Sequence, residues 1–149
     1  MKVKHNARTP IKPMQITFKK AEAEWRAYHL TLKQKALLRQ SIISPYNEEP
    51  DENSGGHDVF APSSPTENIA TRLTTNKQLH YLEEVTSAIE QVYNALPADY
   101  QRLVRYRYWT ERNYTTWDAV AAEVNISKRQ AMRWRDEIIL ATIEVLGWR

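Results

Sequence analysis

The apolar residues of this chain recur at three- and four-residue steps and nowhere alternate, and that period restricts the chain to helices. Phe18, Ala21, Trp25, Tyr28 and Leu32 fall on one face of a segment running from about Ile16 to Ser44. Leu82, Val85, Ile89, Val92 and Leu96 keep a seven-residue repeat in a second long segment. That repeat is short for a coiled coil, so it is expected to pack against the first long helix, a dimer seam being the alternative use. No stretch approaches the roughly 20 apolar residues of a membrane span. An all-α protein with a modest core and no contact with a membrane is therefore expected.

Punctuation residues set the order of the elements. Pro10 and Pro13 break regular structure near the start, so residues 1–15 read as a basic disordered arm. Pro45 ends the first long helix. The block 45–63 contains Pro45, Pro50, Pro62, two of the three glycines and most of a local acidic run, which is the composition of a flexible loop. Ser64-Pro65-Thr66-Glu67 then places a cap, a first-turn proline and a capping-box glutamate in register, opening a helix expected to reach Asn94. Pro97 opens a shorter helix from Ala98 to about Trp109. The expected organisation is thus an arm (1–15), a long-helix region (16–96) that includes the acidic loop, and a C-terminal module (97–149).

Charge is distributed unevenly. Residues 1–44 carry ten Lys or Arg against two Glu, residues 45–67 carry six acids and no base, and residues 68–149 carry eleven bases against ten acids. Basic segments on either side of an acidic loop suit a polyanionic partner. The chain has no cysteine, so disulfides, thiolate catalysis and cysteine-ligated zinc are excluded, and a reducing, cytoplasmic compartment is expected. The basic start is followed by no apolar run, so no secretory signal is expected.

The C-terminal module carries the most specific pattern. Thr115 is placed as the cap of a short helix with Asp118 at its third position, and Trp117, Val120, Ala121 and Val124 form its apolar stripe. Asn125 suits the left-handed position that ends a helix. Ile126 plugs the core, and Ser127 with Gln130 forms a capping box for a last helix reaching Leu146, with Gly147 just beyond it. Projected at about 100° per residue, Ala131, Trp134, Ile138, Ala141 and Val145 face inward. Arg129, Met132, Arg133 and Asp136 face outward, with Lys128 and Arg135 on the flank. Asp136 is placed as a base contact or a partner of Arg133. Ile139, Leu140, Ile143, Leu146 and Trp148 add apolar surface on sides that ought to be wet, so they are expected to dock on the N-terminal helices or on a second subunit of a homodimer.

A capped support helix, a three-residue turn and a second capped helix opening on cations is what major-groove reading requires. Arg129 and Arg133 are the candidates for base contacts and Lys128 and Arg135 for phosphate. Met132 is suited to a thymine methyl, and Ser127 and Gln130 are caps within reach of DNA. Catalysis is not expected. His5, His29, His57 and His80 are scattered and match no ligand spacing, and no phosphate-binding glycine loop is present. His57 with Asp58 is weighed as a metal pair and set aside as solvated loop. No cofactor and no metal are expected.

Leu96-Pro97, Tyr106-Arg107-Tyr108, Trp117-Asp118-Ala119-Val120-Ala121 and Ile126-Ser127 resemble the part of bacterial sigma factors that reads the −35 promoter element. The wider order resembles the RinA/ArpU group of phage transcriptional regulators over roughly residues 20–149. Gly55-Gly56, Phe60, Pro62-Ser63 and Thr66-Glu67 look like its central motif, and Ile126-Ser127, Arg129, Ala131, Arg133, Ile138-Ile139 and Leu146-Gly147 like its terminal helix. The resemblance implies an activator of phage late genes in Gram-positive hosts that binds double-stranded DNA at a promoter, with host RNA polymerase as a possible partner. Lys128 and Arg129 depart from the sigma pattern, which has a small or acidic residue there, and Trp134 is bulkier than that pattern. Two alternatives share the helices: a DNA-packaging subunit like those of phage terminases, and a helical adaptor with no nucleic-acid role.

Overall fold

Pro97, Asn125 and Gly147 each stand just past the end of a helix, as the sequence places them. The computed structural model describes residues 12–43, 65–110 and 115–149, and among these the protein is all-α. Five helices follow in order: α1 (Gln15–Ile43), α2 (Pro65–Ala95), α3 (Ala98–Tyr108), α4 (Trp117–Val124) and α5 (Lys128–Leu146). Among the described residues no helix is long and apolar enough to cross a membrane. Ser64, the acidic block 45–63 and most of the N-terminal arm lie outside the described residues, as do His5, His57 and Asp58.

The chain divides into two units. The first comprises Met1–Arg26 and Val92–Arg149, so it joins the beginning of α1 and the end of α2 to α3, α4 and α5. The limit drawn from sequence at residue 97 falls inside it. Its core is made by Ala21, Trp25, Leu103, Val104, Val120, Ala131, Ile138 and Ile139, all buried. Trp25 is fully enclosed, and its indole N–H donates to the Thr142 hydroxyl at 2.9 Å. That hydroxyl in turn donates to the Ile138 carbonyl, so a buried polar pair is satisfied within the core. Trp109 stacks on Trp25 with centroids 6.0 Å apart and donates its own indole N–H to the Trp25 carbonyl.

These contacts explain the surplus apolar surface of α5. Ile139 and Ile143 are buried within the chain, where the start of α1 lies against α5, and need no second subunit. Trp148 carries the Lys20 ammonium 4.1 Å from its ring centre. Leu140 and Val145 remain exposed. Helix projection puts Val145 on the inward face, yet it is exposed. The buried stripe is instead Ala131, Ile138, Ile139, Thr142 and Ile143, and Thr142 meets Trp25 of α1, so the second half of α5 is covered by the start of α1.

The second unit is Ala27–Gln91. Here Tyr28, Lys35 and Arg39 of α1 meet Glu90, Thr86 and Glu83 of α2 in that order, so the two helices run antiparallel. Val85, Thr86, Ala88 and Ile89 are buried. The seven-residue repeat of α2 therefore serves packing inside the chain. The Arg39–Glu83 pair is short, 2.6 Å, but half in solvent, where such pairs add little to stability.

Candidate nucleic-acid interface

Two helices joined by three residues carry the candidate site, and local chemistry fixes both joints. Thr116, not Thr115, caps α4: its hydroxyl accepts the Ala119 N–H at 3.2 Å. Asp118 is thus the second residue of the helix rather than the third. Either threonine is able to cap. The choice falls on Thr116 because the Thr115 carbonyl is held by the Arg107 guanidinium. At the far end Asn125 adopts φ 59°, ψ 42°, and the Ile126 N–H closes back onto the Ala121 carbonyl at 3.0 Å. Ile126 is half-buried. Ser127 then caps α5, accepting the Gln130 N–H at 3.1 Å. Gly147 ends α5 at φ 67°, with the Trp148 N–H bonded to the Ile143 carbonyl.

Support for α5 comes from α3 and α4. Trp134, expected in the core, is half-buried and stacks on Tyr100 with centroids 4.2 Å apart. Burial and a hydrogen bond to Glu137 push the Tyr100 phenol up to about 12. Arg102 pairs with Glu123 at 3.1 Å between α3 and α4. Trp117, also expected in the core, is half-buried at its edge, with Arg107 at 4.5 Å and Arg135 at 5.4 Å from its ring centre. Arg107 belongs to the Tyr106-Arg107-Tyr108 motif, but the sequence assigns it no role. Its Nε is buried with no hydrogen-bond partner, so its stability there comes from the indole face and the Thr115 carbonyl. Beside it, Tyr108 donates to Glu22 at 2.8 Å, and burial with the adjacent carboxylate holds its phenol far above the usual range, against a partial lowering by Arg107 and Arg135.

The candidate residues separate into two groups. Lys128, Arg129 and Arg133 are exposed on the first two turns of α5, as the projection required. Arg129 and Arg133 form no ion pair or hydrogen bond among the described residues. Lys128 approaches Asp118 at 3.5 Å, both side chains being largely in solvent. Ser127 is exposed, and Gln130 and Met132 are half-buried. Arg135 does not join them. Its side chain is only 20% exposed, it donates twice to Asp136 at 2.9 and 2.7 Å, and it lies over Phe18 and Trp117. Asp136 is thereby the partner of Arg135, not of Arg133. Helix projection put Arg135 on the flank but could not show that Phe18, far away in sequence, covers it.

The placement of these cations is electrostatically unfavourable for the helix itself. α2, α3 and α4 each open on an acid, Glu67, Asp99 and Asp118, which suits the positive end of the helix dipole. α5 opens on Lys128 and Arg129 with no acid in its first turn. Each cation at that end costs about 0.3–1 kcal/mol before screening. The backbone N–H groups at a helix N-terminus favour an anion, and here the exposed side chains beside them are cationic.

An all-α chain with a capped helix pair and a cationic leading end is what these observations define. A family model matches residues 28–143, and the chain belongs to that family, described as protein of unknown function DUF722. No curated protein and no solved structure matches the chain. Among the described residues no group of His, Asp or Glu is placed to hold a metal ion.

Proposed function

We propose that this protein binds double-stranded DNA sequence-specifically and regulates transcription, α4 and α5 acting as a helix-turn-helix of the sigma type with α5 as the reading helix. The observation that carries this is the cationic first two turns of α5, kept exposed although the helix dipole disfavours charge of that sign there. Arg129 and Arg133 are the base-reading residues, since a guanidinium bonds guanine O6 and N7 together. Lys128 meets phosphate. Met132 lies between the two arginines in sequence, where a thymine methyl would fit. The motifs that resemble those of RinA/ArpU regulators favour activation of phage late genes in a bacterial cytoplasm, with RNA polymerase as a partner.

The test is selection of bound sequences from a random duplex library at two ionic strengths. The proposal expects one enriched motif that survives at the higher salt. Retention without enrichment at low salt, lost entirely at high salt, would reduce the cations to a non-specific charged face.

A further inference from the structure

Trp117, the first residue of α4, is met by cations from two other helices. The Arg107 guanidinium of α3 lies 4.5 Å from its ring centre, and the Arg135 guanidinium of α5 lies 5.4 Å from it. Arg107 holds the same turn a second way, by donating to the carbonyl of Thr115, two residues before Trp117. Thr116, the cap of α4, stands between these two contacts. One guanidinium therefore fixes both the backbone that enters α4 and the side chain that begins it. Toward α5, Trp117 and Asp118 meet Arg135 and Lys128. Those two cations are seven residues apart, about two turns along one flank of α5, and they bracket Arg129 and Arg133 in sequence. The start of α4 is thus set against the part of α5 that carries the proposed base-reading residues.

Arg107 is a costly way to fill this place. Its Nε is buried with no acceptor, and it pairs with no carboxylate among the described residues. A hydrocarbon side chain of similar length would avoid both costs. What a guanidinium adds is direction, because its planar fork bonds a carbonyl and lies against an indole in one orientation. We infer that Arg107 is a positioning residue of the DNA interface. Through Thr115 and Trp117 it sets the seat of α4 on α5, and hence the angle at which Arg129 and Arg133 meet a duplex, without touching DNA itself. This role rests on α5 being the reading helix.

The absence of cysteine allows paired spin labels to report that seat without DNA. Labels on Ala122→Cys of α4 and Leu140→Cys of α5, both at exposed positions, are expected to give one narrow distance distribution. Arg107→Met is expected to broaden it while the melting temperature of the full chain stays within a few degrees. Anisotropy on the duplex selected from the random library and on a random duplex gives the second readout. There the same variant is expected to lose preference roughly tenfold, the order of one bidentate base contact, with an unchanged salt slope. Should Arg107→Met melt early, Arg107→Lys carries the same readouts: it keeps the charge but not the fork, and the same broadening is expected. An unchanged distance distribution overturns the inference. So does an equal loss on both duplexes with a salt slope smaller by about 0.9, which would make Arg107 a phosphate contact. A wild-type chain without sequence preference overturns the DNA reading instead, and the label distances then decide alone whether Arg107 seats α4.

Discussion

Lys128 and Asp118 stand 3.5 Å apart at the edge of the candidate interface, and their pairing separates two roles for exposed charge. Lys128 at a phosphate adds sequence-independent affinity. Lys128→Ala is therefore expected to weaken binding to every duplex and to shrink the log–log salt slope by about 0.9. Arg133, with no partner among the described residues, is expected to behave differently: Arg133→Ala costs about 1–3 kcal/mol on the preferred sequence and relaxes choice at one base pair. Equal losses on preferred and random DNA would make it a phosphate contact. Asp118, largely in solvent, pairs with Lys128 in the free protein and on the proposed function would oppose phosphate in a DNA complex. Asp118→Asn is expected to tighten binding to all duplexes by a factor of roughly two to five, the range of an exposed charge pair. Weaker binding by that variant, measured by anisotropy, would mean that Asp118 orients Lys128 instead. Lys128 and Arg133 are legible in the sequence because helix projection depends only on spacing, whereas the sequence marks Asp118 only as a first-turn acid of the preceding helix and does not show that Lys128 reaches it. Arg135 was misjudged because its position depends on Phe18 and Trp117, which no local rule brings to it.

Among the elements, the turn from α4 to α5 is the joint on which the site depends. Asn125 at φ 59° is the one non-glycine residue with positive φ among those described. A β-branched residue there meets its own carbonyl, which costs roughly 1–2 kcal/mol. Asn125→Val is expected to lose that much in urea denaturation, and Asn125→Gly to be close to neutral. Similar losses from both would show that the Asn side chain matters and the backbone does not. The turn was legible because asparagine, serine and the flanking apolar residues each have a distinct local preference that agrees with the others. The start of α4 was off by one residue for the opposite reason. Adjacent threonines have the same local preference, and the choice between them is made by Arg107, on another helix.

At the scale of the molecule, the division into two units was the least legible feature. Periodicity shows which residues face inward, but not which helix covers them, so the start of α1 could not be assigned to the C-terminal helices. Trp25, Thr142, Tyr108 and Glu22 make that assignment through buried hydrogen bonds. One of these groups titrates, which allows a test. The Tyr108 phenol is raised in the folded state, so the folded chain favours its protonated form. Its contribution is complete below the ordinary tyrosine value near 10 and declines as pH rises beyond it. The melting temperature is expected to fall above pH 10 more steeply for the wild type than for Tyr108→Phe. That variant should also lose about 1 kcal/mol at neutral pH with the hydrogen bond to Glu22. Parallel alkaline curves would show that Tyr108 is not enclosed as described.

The central claim is that the leading end of α5 enters a duplex, and the absence of cysteine allows a direct test. A photocrosslinker on Met132→Cys, between the two arginines, can be compared with one on Leu140→Cys, exposed on the same helix two turns on. Crosslinks from position 132 to bases of the selected sequence, with few or none from position 140, are the expected result. Equal labelling from both positions, or labelling only from position 140, would contradict the account.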